Sequence, residues 1–450
     1  MKKFWFLTVV ISATLILAVG CQLATPEAAP VVEEPEAAPA EEEEAAAPEE
    51  EQITMRALFM KQAGYQQEDI ENITAEFEEA NPNINFELDF VAYESLHDKI
   101  VTAATSKAGT YDVILLDCIW PAEFAAAEFI LDVTDRFPEE MRQDIWPGAM
   151  ESVEYQGKVY GMPWLNDVLY HYYNEEMLKE AGYDQPPKTW EELREMAMAA
   201  KEKGLVEYPF IEYFQQDEGL TIAFAYMLLS FGGEFFNEDN TPAFNSPEGL
   251  AALQFMVDGM NDGLYNPASL ESTYEEVRRA FQQGAALFST NWAYQLNLAN
   301  DPEESQIAGH AIVTLMPGQV EPSVTINGGM GLAVMADSEH PDEAWDYIQY
   351  LSSKDVQKRY SQNALPIWIS LFDDPELQEM QPEIAKELDF IEVSKDQYKY
   401  LRNRPIVPFY SETSEIVARE VQAALTGSKT AEQALADAEA AVLEARERFE

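Results

Sequence analysis

Residues 53–59 (ITMRALF) and 84–90 (INFELDF) carry the period-two pattern of strands, and in the second Ile84, Phe86, Leu88 and Phe90 share one face while Asn85, Glu87 and Asp89 share the other. Between them Ile70, Ile73 and Phe77 recur at helical spacing until Asn81-Pro82 stops the run. A second helix is predicted around Leu96, Ile100, Val101 and Ala104. It leads through Tyr111-Asp112 into the unbroken apolar run Val113 to Leu116, which suits a parallel strand buried on both faces. The β-α-β-α-β order predicts a doubly wound α/β sheet, whose functional loops lie beyond the carboxyl ends of its strands, here at 61–65 and 117–120. Further along, Thr189 and Glu192 have capping-box spacing ahead of Leu193, Met196, Ala197 and Ala200, with Gly204 as a stop. Ser246-Pro247-Glu248 predicts another helix start, with Pro where its missing N–H costs nothing. A terminal helix from Thr430 sets Leu435, Ala438, Val442, Ala445 and Phe449 along one stripe. Its Ala-rich apolar side and Glu-rich polar side predict packing against a core and not on a membrane.

The amino terminus departs from this pattern. Lys2 and Lys3 precede an apolar run from Phe4 to Val19, short for a membrane span and shaped like an export signal. Ala18-Val19-Gly20-Cys21 resembles a bacterial lipobox, in which the Cys thiol takes a diacylglyceryl chain, although the Leu usual at the first of these positions stands one residue early, at Leu17. The resemblance implies a lipoprotein signal peptide over 1–20 and lipidation at Cys21. The alternatives are an ordinary cleaved signal or a single-span anchor. From 21 to 52 the chain is almost wholly Ala, Pro and Glu, with no Lys or Arg, which predicts a disordered, extended tether.

Composition narrows the function. At 450 residues two or three domains are expected, and 47% hydrophobic residues are ample for large cores. The 28 Lys+Arg against 82 Asp+Glu give a net charge of -54, and eleven of the glutamates lie in 22–52, so most of the acidity belongs to the folded body. Such a field repels phosphate backbones and anionic headgroups, which excludes nucleic acid as a partner and a basic membrane patch. A saline habitat and an ordinary solvated surface both account for it. The two cysteines, Cys21 and Cys118, make no disulfide framework, and four histidines leave little for a metal cluster. No H-E-x-x-H, G-x-S-x-G, C-x-x-C or phosphate loop occurs. Asn237-Glu238-Asp239-Asn240 lacks the Gly and terminal Glu of an EF-hand and reads as a polar turn. With so many acids, carboxylate pairs arise by chance and give no support to an enzyme.

A series of segments does carry a resemblance. They are Phe77-Glu78-Glu79-Ala80-Asn81-Pro82, Tyr111-Asp112-Val113-Ile114, Gly157-Lys158-Val159-Tyr160-Gly161-Met162-Pro163 and Tyr173-Asn174, followed by Ala181-Gly182-Tyr183 with Pro186-Pro187-Lys188-Thr189-Trp190. Later come Gly232-Gly233, Phe281 to Phe288, Asn291-Trp292-Ala293, Gly328-Gly329, Ala344-Trp345, Leu365-Pro366 and Ala434-Leu435. In this order they resemble the family 1 extracellular solute-binding proteins, the maltose-binding-protein-like sugar-binding components of ABC importers. The resemblance covers essentially all of 53–450. It implies an α/β, two-lobe periplasmic-binding-protein fold of type II, with a ligand cleft between lobes joined by a hinge. Lobe one would take 53–163 and 324–362, and lobe two 164–323 and 363–450.

By the same resemblance the chain would bind a small-molecule ligand, a mono- or oligosaccharide, without cofactor or metal, and pass it to ABC permease subunits. It would be a monomer, exported and held to the membrane by its lipid anchor only. Trp292 falls on the family's stacking tryptophan, and its polar neighbours Thr290, Asn291, Tyr294 and Gln295 suit a strand end facing a cleft. Tyr410 falls near a second family aromatic, and Trp120 and Trp368 are further aromatic candidates, either of which equally suits a cap over a core. The polar candidates are Tyr65, Asp117, Asp167, Gln216 and Asn327, with Asp167 matching a family acidic position. In such a site sugar C–H faces lie on aromatic rings while carboxylates and amides take the hydroxyls. Cys118 reads as a half-buried free thiol, with no adjacent His or Lys to activate it. The rival readings are a secreted carbohydrate-active enzyme, a structural surface lipoprotein, and a binding protein for a non-sugar solute.

Overall fold

A computed structural model describes residues 52–362 and 364–449, so the signal-like run, Cys21 and the Ala/Pro/Glu segment lie outside the described residues. In chain order the strands that matter are β1 (Ile53–Met60), β2 (Ile84–Val91), β3 (Val113–Asp117), β4 (Met162–Leu165), β5 (Tyr170–Asn174), β6 (Phe210–Ile211), β7 (Phe288–Asn291), β8 (Ala311–Thr314), β9 (Thr325–Ile326), β10 (Met330–Val334) and β11 (Leu401–Arg402). Five of them form one sheet in the order β2-β1-β3-β10-β4, and four form a second, β6-β7-β5-β8. Each sheet is the centre of a lobe.

In the first lobe β1 pairs parallel with both β2 and β3, as the β-α-β-α-β order requires. Val113 to Leu116 are fully buried, as their unbroken apolar run predicts, but the surroundings of β3 are mixed: its other neighbour, β10, runs antiparallel. That strand enters the sheet after the chain has visited the second lobe, so no local crossover dictates its direction. The helix Gln67–Ala80 buries Ile70, Ile73 and Phe77 and ends where the Asn81 N–H turns back on the Phe77 and Glu78 carbonyls.

The second lobe is built around the helix Glu218–Ser230, in which every residue from Gly219 onward is buried. Around it pack Pro247–Asp262, started by Ser246 as foreseen, and the paired helices Tyr410–Leu425 and Ala431–Glu447. The helix Trp190–Glu202 has Thr189 as its cap, with Oγ1 accepting the Glu192 N–H at 3.1 Å, but the Glu192 carboxylate takes the N–H of Lys188 at 2.7 Å. The terminal stripe is buried at Leu435, Ala438, Val442 and Ala445. Phe449 lies past the helix end at Glu447 and is 53% exposed, so it leaves the stripe and sits 6.0 Å from the Phe409 ring.

The chain passes between the sheets through strands that lie side by side. Residues 166–169 link β4 to β5, and Val168 bridges antiparallel to Asn327 on the returning segment. Immediately before Asn327, β9 pairs parallel with β11. Three extended segments at the junction of two lobes form a hinge, because a small change of backbone angle in each swings one lobe as a body. Among the described residues no helix is long and apolar enough to cross a membrane.

Candidate functional site

Strand β7 is buried along its whole length and delivers Trp292 at its end. Asn291 sets the corner: its Oδ1 accepts the Trp292 N–H at 2.9 Å while its Nδ2 donates to the Tyr274 carbonyl at 3.2 Å and to Gln295 Oε1 at 2.8 Å. The Trp292 ring is half-buried and lies flat against the hinge at Gly328, where an added methyl would fall 2.2 Å from Cζ3. Gly328 is thus glycine because the indole occupies the place of its side chain. Tyr274 stands 5.8 Å from Trp292 and 4.1 Å from Tyr213 between ring centroids, which extends the indole into an aromatic wall. The hydroxyls of both tyrosines are enclosed and have no hydrogen-bond partner.

Asp167, on the first hinge crossing, ties this wall down. Its Oδ1 accepts the N–H of Val168 at 2.9 Å and of Ala293 at 3.3 Å, and its carbonyl accepts the Gly328 N–H at 2.9 Å. Burial pushes its carboxyl up to about 7.

Close to Tyr274 lies a charged cluster. Asp117 ends β3, and its carboxylate accepts from Tyr93 Oη at 3.0 Å, the Ile119 N–H at 3.2 Å and Arg404 Nη2 at 3.4 Å. Arg404 also donates through Nη1 to Glu218 at 2.7 Å, and through Nη2 to the Asn327 carbonyl at 3.1 Å and the Cys118 sulfur at 2.8 Å. Its Nε–H is buried without an acceptor. Glu218 further accepts from Tyr410 Oη at 2.9 Å and from Ser414. Burial raises the Glu218 carboxyl above its ordinary range, and burial with the Glu218 and Glu94 charges pushes neighbouring Asp217 up to about 6. Burial also pushes the Cys118 thiol up, which makes it a packing group.

The model of the bacterial extracellular solute-binding proteins matches residues 63–358. The chain belongs to that family. A probable ABC transporter-binding protein of Deinococcus radiodurans is 33% identical over 288 residues, 62% of this chain and 67% of its own. The structure of maltose-bound MalE3 from T. maritima is similar at a TM-score of 0.78 and 31% identity, covering 86% of this chain and 98% of that one. A solute-binding protein from Thermotoga lettingae bound with α-D-tagatose has a TM-score of 0.78 at 25% identity, over 87% and 99% of the two chains. The two-lobe type II fold expected from the sequence is the fold observed, and the chain is a solute-binding component of an ABC transporter.

For this solute-binding protein the sequence-derived candidates fall into two groups. Asp117 and Asn327 meet through Arg404, Tyr410 joins them through Glu218, and Asp167 meets Trp292 through Ala293 and Gly328. Trp120 joins the first set through Tyr93, on which it is stacked at 6.1 Å, and is buried. The Asn327 amide is saturated, donating to the Gly148 carbonyl and Asn403 and accepting from the Gly329 N–H, each at 2.8 Å, so it braces the hinge. Tyr65, Gln216 and Trp368 are placed apart from both sets. Tyr65 is buried and stacked on Trp164 at 4.6 Å inside the first lobe. Trp368 is buried under Lys354 and gives its indole N–H to the Ser352 carbonyl at 2.8 Å. Gln216 is exposed in the turn before the Asp217 cap. Sequence reasoning missed Arg404, Glu218, Tyr93, Tyr213 and Tyr274. Only Glu218 had a local signal, as the first residue after a capping Asp.

Proposed function

We propose that the protein is an exported lipoprotein, anchored through Cys21, that takes a carbohydrate or polyol into the cleft between its lobes and delivers it to an ABC permease as a monomer. The observation that carries this reading is the aromatic wall of Trp292, Tyr274 and Tyr213, with two enclosed hydroxyls lacking partners. A ring face suits the C–H face of a sugar, and free hydroxyls suit its oxygens. The maltose and tagatose held by the two similar structures support it. So does the charge of the cleft. Arg404 is already engaged by Asp117 and Glu218, and the remaining acids, Asp217 and Glu94, disfavour an anionic solute.

A melting-temperature screen over neutral sugars and polyols, followed by calorimetric titration of the best hit on wild type and Trp292→Ala, tests the reading. Loss of the platform should weaken binding about thirtyfold, some 2 kcal/mol. If no sugar or polyol raises the melting temperature, the carbohydrate reading fails. If Trp292→Ala binds as tightly as wild type, the wall is not the site. For the anchor, Cys21→Ala should abolish palmitate incorporation in cells, and equal labelling of both proteins would refute it.

A further inference from the structure

Arg404 does not neutralise the acids around it. Three carboxylates, Asp117, Asp217 and Glu218, and this one guanidinium act on the hydroxyls of Tyr93 and Tyr274. The guanidinium is already shared by Asp117 and Glu218, at 3.4 and 2.7 Å. Asp217 is left with dipolar partners: Oδ1 accepts the Gly219 N–H at 2.8 Å, and Oδ2 accepts from the Gln215 amide at 3.0 Å. Glu94 is exposed at the start of the first-lobe helix Tyr93–Ser106. Its charge acts on Asp217, which caps the central helix of the second lobe. Among the described residues neither of these two carboxylates is in an ion pair. Two like charges, one from each lobe, therefore stand without a cation of their own close to Tyr274.

We propose that the solute carries a protonated amine, as an amino sugar or an amino-polyol does, and that Asp217 and Glu94 select it over its neutral analogue. The inference rests on the carbohydrate reading and narrows it. A sugar hydroxyl can donate to either carboxylate, but it leaves both charges and their repulsion in place. An ammonium donates the same hydrogen bond and also cancels charge, in a site where burial weakens the screening by water. Half-buried Asp217 registers that repulsion: burial, opposed by the Gly219 N–H and joined by the Glu218 and Glu94 charges, pushes its carboxyl up to about 6. Arg404 does not oppose the amine, because two carboxylates share its single charge. The rings add to the selection. Trp292 and Tyr274 are each half-buried, with centroids 5.8 Å apart, and an aromatic face attracts a cation far more than it attracts a hydroxyl.

The test is calorimetric titration of the full-length protein in detergent micelles, near neutral pH and at low salt, with probes that differ only in amine against hydroxyl. The pairs are D-glucosamine and D-glucose, D-galactosamine and D-galactose, the chitosan disaccharide and cellobiose, and glucamine and sorbitol, with each amine also in its N-acetylated form. In at least one pair the amine should bind about tenfold or more tighter than its parent, and acetylation, which keeps the nitrogen and removes the charge, should abolish the gain. Asp217→Asn, which keeps a capping side chain, and Glu94→Gln should each reduce the ratio of the two affinities by about threefold or more. Glu202→Gln, at the exposed end of the helix Trp190–Glu202, removes the same charge from the net -54 and should leave the ratio unchanged. If the neutral parents bind as tightly as their amines, the inference falls and the carbohydrate reading stands. If no member of any pair binds, both fall. An unchanged ratio in either cleft variant, or an equal loss in Glu202→Gln, would also overturn the proposal.

Discussion

Replacing Glu212 by Gln should make the protein more stable at pH 8 and leave it nearly unchanged at pH 5. The parallel register of β6 on β7 sets Glu212 beside Thr290, and the antiparallel register of β7 on β5 sets Thr290 opposite His171. All three are fully buried, and the Glu212 carboxylate, the Thr290 hydroxyl and both His171 nitrogens lack a well-formed hydrogen bond. Burial pushes the Glu212 carboxyl up to about 8 from an ordinary 4.5, against a weaker pull from the Thr290 and Tyr226 hydroxyls. Between those two values the folded protein holds a proton that the unfolded chain has released, so unfolding free energy falls as pH rises. Over pH 5 to 8 the loss amounts to about 3–4 kcal/mol. Gln keeps the shape and never ionises. Asp167 and Asp217, pushed up to about 7 and about 6, tilt the profile in the same direction, but equally in both proteins. Urea melts of wild type and Glu212→Gln at pH 5, 6.5 and 8 should therefore diverge with pH, the variant gaining. Parallel profiles, or a variant that weakens as pH rises, would refute the reasoning.

Gly328→Ala should displace the Trp292 ring from the hinge: calorimetric affinity for the screened solute should fall as in Trp292→Ala, with an overpacking cost of about 1–3 kcal/mol in denaturant melts. Unaltered affinity would show that the indole does not need its present seat. His171, which burial drives down to about 3, must stay neutral in the folded protein while the unfolded chain protonates near 6.5, so stability is lost as pH falls through that window. His171→Phe, among Phe210 and Phe288, should flatten the decline by about 3 kcal/mol between pH 6.5 and 4 whatever constant offset the larger ring adds, and an unchanged slope in acid melts would count against it.

The elements that could be read from the sequence are those with one wet face. Ile70, Ile73 and Phe77, or the capped helix after Thr430, show a period because solvent selects the intervening residues. The helix Glu218–Ser230 has no wet face, so its composition carries no period and only the Asp217 cap announces it. The site divides along the same physical line. A strand end could be located, as at Asp117 and Trp292, because strand and turn are local facts. Which way a strand-end side chain is used is decided by what arrives from elsewhere. Tyr65 stands just past the end of β1 as predicted, but Trp164, about a hundred positions on, covers its ring and makes it core. Asp117 waits for Arg404, 287 residues later, to become one half of an ion pair. Tyr213, just past β6, and Tyr274, tied to Asn291 at the end of β7, become a wall because β6 lies on β7, a pairing of residues 78 positions apart. Sequence thus locates the candidate positions, and sheet register assigns their roles. Among the described residues, the Tyr213 and Tyr274 hydroxyls and the Arg404 Nε–H join the Glu212, Thr290 and His171 groups as interior polar atoms without a well-formed partner within the chain.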